Sequence, residues 1–402
     1  MRMSKQEKKA LVPALRFPEF RNAGEWRKKP LAPYIEEYSE RASSSTELEV
    51  YSSTREGLKP QSEYYDGRNL VNDGQYGVVP NGYFVYRHMS DDDVFKFNLN
   101  QLGKKIAVSK EYPVFKAVNL DAHFLINKLN EGQEFKKFAV SQKKGGTRTR
   151  LYFSALRTFE SFFPDFEEQK KIADCLTSID ELITAQTQKL YALQTHKKGL
   201  MRQLFPADGE TVPNRRFPQF RDNEEWEEKT LGDICDMQAG KFVRASDIKE
   251  AKNGGDYPCF GGNGLRGFTT TFTHNGRYPL IGRQGALCGN VMLAEGQFHA
   301  TEHAVVVTPN EGVSTDWLFY KLIHLNLNQF ATGQAQPGLS VDNLKKVELK
   351  IPSEEDEQQK IADCLTSIDE LISIQARKVA VLKNHKRGLM QQLFPAIDEV
   401  SA

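Results

Sequence analysis

The stretch SQKKGGTRTR, running from Ser141 to Arg150, sets Lys143, Lys144, Thr147, Arg148 and Arg150 in a segment with no acid between Glu134 and Glu160. Lysines in such a loop suit phosphate oxygens, and an arginine can grip guanine through two parallel hydrogen bonds. The corresponding loop later in the chain, TGQAQPGLS, offers Gln334 and Gln336, whose amides match the edge of adenine. Two further segments, YPCFGGNGLRGF with Asn263 and Arg266 and LIGRQGALCGN with Arg283 and Gln284, combine tight turns with planar hydrogen-bonding groups. They read equally as contacts to base edges or as structural hairpins. The chemistry on offer is recognition of nucleic acid.

Machinery for making or breaking bonds is missing. The chain has no GxxxxGK[ST] phosphate loop and no NPP[YF] motif of the kind that holds a flipped base for amino-methylation. The segment PDFEEQK superficially matches a PD…ExK nuclease centre, with Asp165, Glu168 and Lys170 as candidate groups. Acids are expected at a helix start for dipole reasons, however, and a second copy of the segment reads PSEEDEQQ, without equivalents of the aspartate and lysine. His123, His274, His299 and His303 have no ligand or triad spacing. Five cysteines, odd in number and without CxxC spacing, read as reduced structural thiols.

The elements that must position these loops are announced by a repeat. Glu167 to Ala207 returns as Asp356 to Ala396 with 28 of 41 aligned positions identical. A second echo opens each half, RFPEFRNAGEWRKKPL from Arg16 and RFPQFRDNEEWEEKTL from Arg216. Within the longer repeat, Ile172, Leu176, Ile179, Ile183, Gln186, Leu190, Leu193, Lys197, Leu200 and Leu204 fall at alternating steps of four and three. The second copy gives Ile361, Leu365, Ile368, Ile372, Gln375, Val379, Leu382, Lys386, Leu389 and Leu393. Each is a heptad seam, and two equal stripes predict two long helices packed antiparallel as a spacer. Pro164-Asp165 with Glu168, and Pro352-Ser353 with the acids after it, read as capping signals, while Pro206 and Pro395 stop the helices. Off the seam, Asp174, Thr177, Ser178, Asp180 and Glu181 equal Asp363, Thr366, Ser367, Asp369 and Glu370. That identity predicts two equivalent outer faces for two copies of one partner.

The intervening stretches diverge yet share landmarks: Phe124-Leu125 with Lys128-Leu129 parallels Trp317-Leu318 with Lys321-Leu322, and Gly145, Leu151 and Leu156 parallel Gly333, Leu339 and Leu344. Runs such as Tyr83–Tyr86, Tyr112–Val118 and Ala304–Val307 read as strands and the stretches around Leu125 and Leu318 as helix, giving an α+β fold of two globular domains on a pseudo-two-fold repeat. The expected divisions are 1–166 and 208–355 for the domains, 167–207 and 356–402 for the helices. Fifty-four basic against 53 acidic residues leave a net charge of +1, so any contact to nucleic acid must be local. No run approaches the roughly 20 apolar residues needed to span a bilayer, and a cytoplasmic protein with no membrane role is expected. A symmetric coiled-coil adaptor that binds proteins through its globular ends is the competing reading.

The order variable region, QxKIADxLxxID helix, variable region, QxKIADxLxxID helix, with YPCFGGNG, LIGRQGALCGN and GQAQPGLS, resembles the specificity (S) subunit of type I restriction-modification systems over essentially the whole chain. The first variable region lacks the GGNG and GRxGA motifs of the second. The resemblance implies two target-recognition domains, each reading one half of a bipartite site in double-stranded DNA, and conserved helices that dock two modification (methyltransferase) subunits. Restriction subunits, two by the same token, then add translocation and cleavage. It implies a non-catalytic chain with no cofactor of its own; S-adenosylmethionine, ATP and Mg belong to the partner subunits.

Overall fold

The computed structural model describes residues 11–64, 74–143, 147–285, 287–333 and 337–395. Both predicted long helices form, Phe166–Leu204 and Glu355–Leu393, and each ends just short of its proline. The chain divides into two compact units, Met1–Gln186 with Lys378–Ala402, and Thr187–Arg377. Each unit therefore takes the N-terminal half of one long helix and the C-terminal half of the other.

In the first unit the two half-helices run antiparallel. Ile172 and Leu176 share a core with Leu389 and Leu393, and one helical stretch further along Lys386 Nζ lies 2.7 Å from both carboxylate oxygens of Asp180. The second unit repeats the pattern with Leu200 and Leu204 against Ile361 and Leu365, and Lys197 at 2.7 Å from both oxygens of Asp369. The seam lysines, out of place in an apolar stripe, thus reach a carboxylate on the facing helix. Pairing of this kind fixes register at some cost in stability.

The short opening echo explains itself in the same place. Arg16 grips Glu168 with two hydrogen bonds of 2.8 and 2.6 Å and turns its remaining donors to the carbonyls of Ala23 and Gly24. The Trp26 indole N–H faces the same carboxylate. Arg216, Glu357, Trp226 and the carbonyls of Asn223 and Glu224 reproduce every contact. The neighbouring glutamines repeat as well. Gln169 accepts from the backbone N–H of Asp121 and donates to the carbonyl of Pro164, and Gln358 does the same with Ser314 and Pro352. Glu168, read in the sequence as part of a capping signal, is held by an arginine 152 positions away.

Around this frame the two domains agree only in part. Arg27–Pro30 pairs with Glu160–Phe163 as Glu227–Thr230 pairs with Glu348–Ile351. The helices Ala122–Glu131 and Thr315–His324 correspond, each capped by the side chain before it, Asp121 and Ser314. The sheets between do not correspond. The first unit has a four-stranded sheet in the order Ile35–Glu37, Val114–Ala117, Phe84–Tyr86, Phe97–Leu99, and a three-stranded one centred on Tyr76–Val79. The second has one six-stranded sheet in the order Cys235–Ala239, Ala304–Pro309, His274–Gly282, Val291–Ala300, Tyr257–Gly261, Gly264–Thr269. More than loops is exchanged. The shared elements pack against the long helices, whereas each unit's sheets place only some of their residues in that core and the rest in a smaller core of their own.

One shared position has lost its counter-charge. Lys128 in the first unit, 3% exposed, sits 3.0 Å from Glu134. The equivalent Lys321, 4% exposed, lies 5.5 Å from the Phe205 ring centroid, with no carboxylate in ion-pairing range among the described residues. Burial pushes its pKa down to about 8. From about 8 to 10.5 the unfolded chain then holds more protons than the folded one, so stability rises with pH across that window and the full cost is felt below it. Lys321→Met is expected to raise the unfolding free energy at pH 7 by on the order of 3 kcal/mol. In denaturant titrations that advantage over the parent should shrink as pH climbs through the same window.

Candidate nucleic-acid interface

Three of the residues singled out by type meet in the second unit. Asn263, Arg266 and Gln284 line one open cleft of 490 Å³ with Gly262, Gly285, His303, Pro337 and Gly338. Four chain segments supply it, because glycines let their backbones touch. A Cβ on Gly282 would fall 1.9 Å from the carbonyl oxygen of Gly262, so the two glycine-rich motifs can close on each other only without side chains there. The Arg283 N–H donates to the carbonyl of His303, the Leu339 N–H donates to the carbonyl of Arg283, and Gln284 bridges Gly338. The backbone of both motifs makes tight turns, and the side chains of Asn263, Arg266 and Gln284 line the cleft beside them.

Arg283 stands apart from its neighbours. It is half-buried and does not line the cleft, and its Nε is enclosed without a hydrogen-bond partner, as are Glu302 Oε2 and His303 Nδ1. His303, which has no signal in sequence spacing, lines the cleft, with Nε2 at 3.3 Å from Glu302. Gln334 and Gln336 lie outside the described residues, although Pro337 and Gly338 beside them are cleft residues.

The basic loop of the first unit is less basic in space than in sequence. Arg148 Nε lies 2.7 Å from Asp91, and Lys143 lies 3.4 Å from Asp93, which also bonds Thr149. Those hydrogen bonds, from Thr149 foremost, hold the Asp93 carboxyl below its ordinary range. The strand Thr149–Arg150 pairs with Met89–Ser90, and that register delivers an aspartate triplet from some fifty residues upstream. The Arg148–Asp91 pair is exposed and the Lys143–Asp93 pair partly so, which makes both weak. Thr147 and Arg150 are exposed, and Lys144 lies outside the described residues. Close by, Arg55, Tyr64, Arg87, Asp91 and Lys96 line a 260 Å³ groove that sequence spacing did not reveal.

On the helices, Asp174, Ser178 and Glu181 are exposed, as are Asp363, Ser367 and Glu370. Ser178 and Ser367 each donate back to the carbonyl four residues earlier, Asp174 and Asp363. Thr177 and Thr366 are half-buried, and Asp180 and Asp369 are bound to the facing helix as described above. Sequence reading overlooked a leucine in each copy, Leu182 and Leu371, which are 43% and 50% exposed at equivalent positions.

Duplicated helices with a duplicated Arg–Glu–Trp clasp, carrying unlike globular heads that present hydrogen-bonding clefts, define a two-headed recognition scaffold. The family model for the type I restriction modification DNA specificity domain matches residues 71–195 and 223–384. The chain belongs to that family of specificity (S) subunits. It is 50% identical over 154 residues to the type I restriction enzyme EcoprrI specificity subunit of Escherichia coli, a match that spans 38% of this chain and 38% of that protein. It is 26% identical over 327 residues to the MjaVIII specificity subunit of Methanocaldococcus jannaschii, covering 73% and 74% of the two chains. Among solved structures, the S subunit of the type I restriction-modification system from M. genitalium superposes with a TM-score of 0.65 at 15% identity, over 96% of this chain and 99% of that one. Among the described residues no helix is long and apolar enough to cross a membrane.

Proposed function

We propose that this chain reads a bipartite, asymmetric target in double-stranded DNA through its two globular domains, and that it docks two methyltransferase subunits on the repeated helix faces. The observation that carries the reading is the convergence of Asn263, Arg266 and Gln284, from separate glycine-rich segments, on one open cleft. An arginine and two amides on a rigid backbone are the side chains that distinguish base pairs in the major groove. The sheets of the two domains differ while their frames agree, as two unlike half-sites read by one partner-bound scaffold require. With a net charge of +1 and surface ion pairs around the first domain's loop, much of the sequence-independent phosphate affinity falls to the partners.

On this reading the chain is a cytoplasmic, non-catalytic subunit. The methyl donor S-adenosylmethionine is held by the methyltransferase subunits, and ATP and Mg serve the restriction subunits that accompany them. What this chain contributes is placement: base contacts select the site and the docked enzyme acts on an adenine nearby. Mapping methylated adenines across the genome of a strain that expresses this chain with its cognate methyltransferase subunit tests the proposal. A single motif of two short half-sites separated by a fixed gap is expected. Adenines methylated irrespective of their flanking bases would overturn it.

A further inference from the structure

The two docking faces are identical in sequence but not in surroundings. In the second unit the Asp369 carboxylate receives Lys197 at 2.7 Å and also the phenol of Tyr320, whose hydroxyl donates to Oδ2 at 2.8 Å. The same hydroxyl lies 3.2 Å from Thr366 Oγ1, and the Lys197 ammonium sits 5.2 Å from the Tyr320 ring centroid. Tyr320 belongs to the domain helix Thr315–His324. In the first unit the corresponding residue of the corresponding helix is Asn127, whose amide turns back to the carbonyl of His123 on its own helix. There Asp180 is held by Lys386, and among the described residues Asp180 and Thr177 receive no bond from the domain.

We propose that the two faces bind the methyltransferase subunit with unequal strength, the face of the first unit more tightly, because Tyr320 already occupies Thr366 and Asp369 of the second. The proposal rests on the docking reading given above. The remaining exposed groups on both faces, Asp174, Glu181 and Leu182 against Asp363, Glu370 and Leu371, match in type and suit an apolar partner contact rimmed by basic groups, although Asp363 also accepts a 2.8 Å hydrogen bond from Gln359 where the first copy has Lys170. A donor from that partner meets a free threonine and a singly held aspartate on one face. On the other it must displace a phenol hydrogen-bonded to a charged acceptor, a strong class of hydrogen bond.

The test titrates the full chain with its cognate methyltransferase subunit and reads both binding steps by calorimetry, with stoichiometry from native mass spectrometry. The parent chain is expected to bind two subunits with dissociation constants at least tenfold apart. Glu181→Arg, an exposed change on the first face, should remove the tight step, and Glu370→Arg the weak one. Tyr320→Phe, which deletes only the hydroxyl, should bring the two constants within about threefold by strengthening the weak step. Equal steps in the parent, removal of the weak step by Glu181→Arg, or a Tyr320→Phe chain that keeps the tenfold gap would each overturn the inequality. If neither charge reversal affects any step while two subunits still bind, the docking reading itself is wrong, and that outcome differs from all of these.

Discussion

Arg216→Ala is expected to lower the unfolding free energy of the second unit by about 3–5 kcal/mol, the usual cost of removing one partner from a buried ion pair. The substitution strips four donated hydrogen bonds at once, two to Glu357 and two to the carbonyls of Asn223 and Glu224. It also leaves Glu357, 1% exposed, with only the Trp226 indole, at 3.4 Å, as a side-chain donor among the described residues. Arg216→Lys should recover little, because an ammonium cannot fork across the carboxylate and reach two carbonyls behind it. Glu357 stands at the start of its long helix, so its loss frees the helix from the domain that it carries. Arg16→Ala should act identically on the first unit through Glu168. Two denaturation transitions monitored by tryptophan fluorescence, from Trp26 in the first unit and from Trp226 with Trp317 in the second, each single variant shifting one transition, would check both statements. A shift below about 1 kcal/mol would mean that the clasp is decoration.

That clasp shows where sequence reading stopped. The echo RFPEFR…W was visible as a repeat, but nothing in its spacing connects Arg16 to a glutamate 152 residues on. The long helices were legible because their signal is local and periodic: every seam position follows from a step of three or four. The polar interruptions Lys197 and Lys386 were legible as register devices, but nothing in the spacing tied them to their carboxylate partners, Asp369 and Asp180, which flank the seam. The 3.6-residue period drifts against a strict heptad, and a lysine stem is long enough to reach a group flanking the seam. The first domain's basic loop shows the limit from the other side. Charge counted along the chain omits Asp91 and Asp93, which a two-stranded pairing brings back from a distant loop. Sheet order is the least local property of all, and the divergence of the two sheets behind matching landmark residues was beyond reach of the pattern.

The cleft residues were legible as chemistry but not as a site, and their joint effect is the second large prediction. Arg266→Ala and Gln284→Ala are expected to change the methylated motif at one half-site and leave the other intact. Each bidentate base contact is worth roughly 1–3 kcal/mol of discrimination, so a single substitution should cost about tenfold to a hundredfold in selectivity at one base pair. Overall affinity should fall less, because phosphate contacts and the partners supply most of it. Asn263, on the turn that Gly262 and Gly264 allow, should behave in the same way. Arg283→Lys is the contrast: that side chain is half-buried and absent from the cleft lining, so the change should weaken methylation at every site without redefining the motif. Sequencing methylated adenines in strains that carry each variant tests all of this in one measurement. The cleft is the reading surface only if relaxed positions cluster in a single half-site. Relaxation spread over both halves, or none at all, would move recognition elsewhere on the domain.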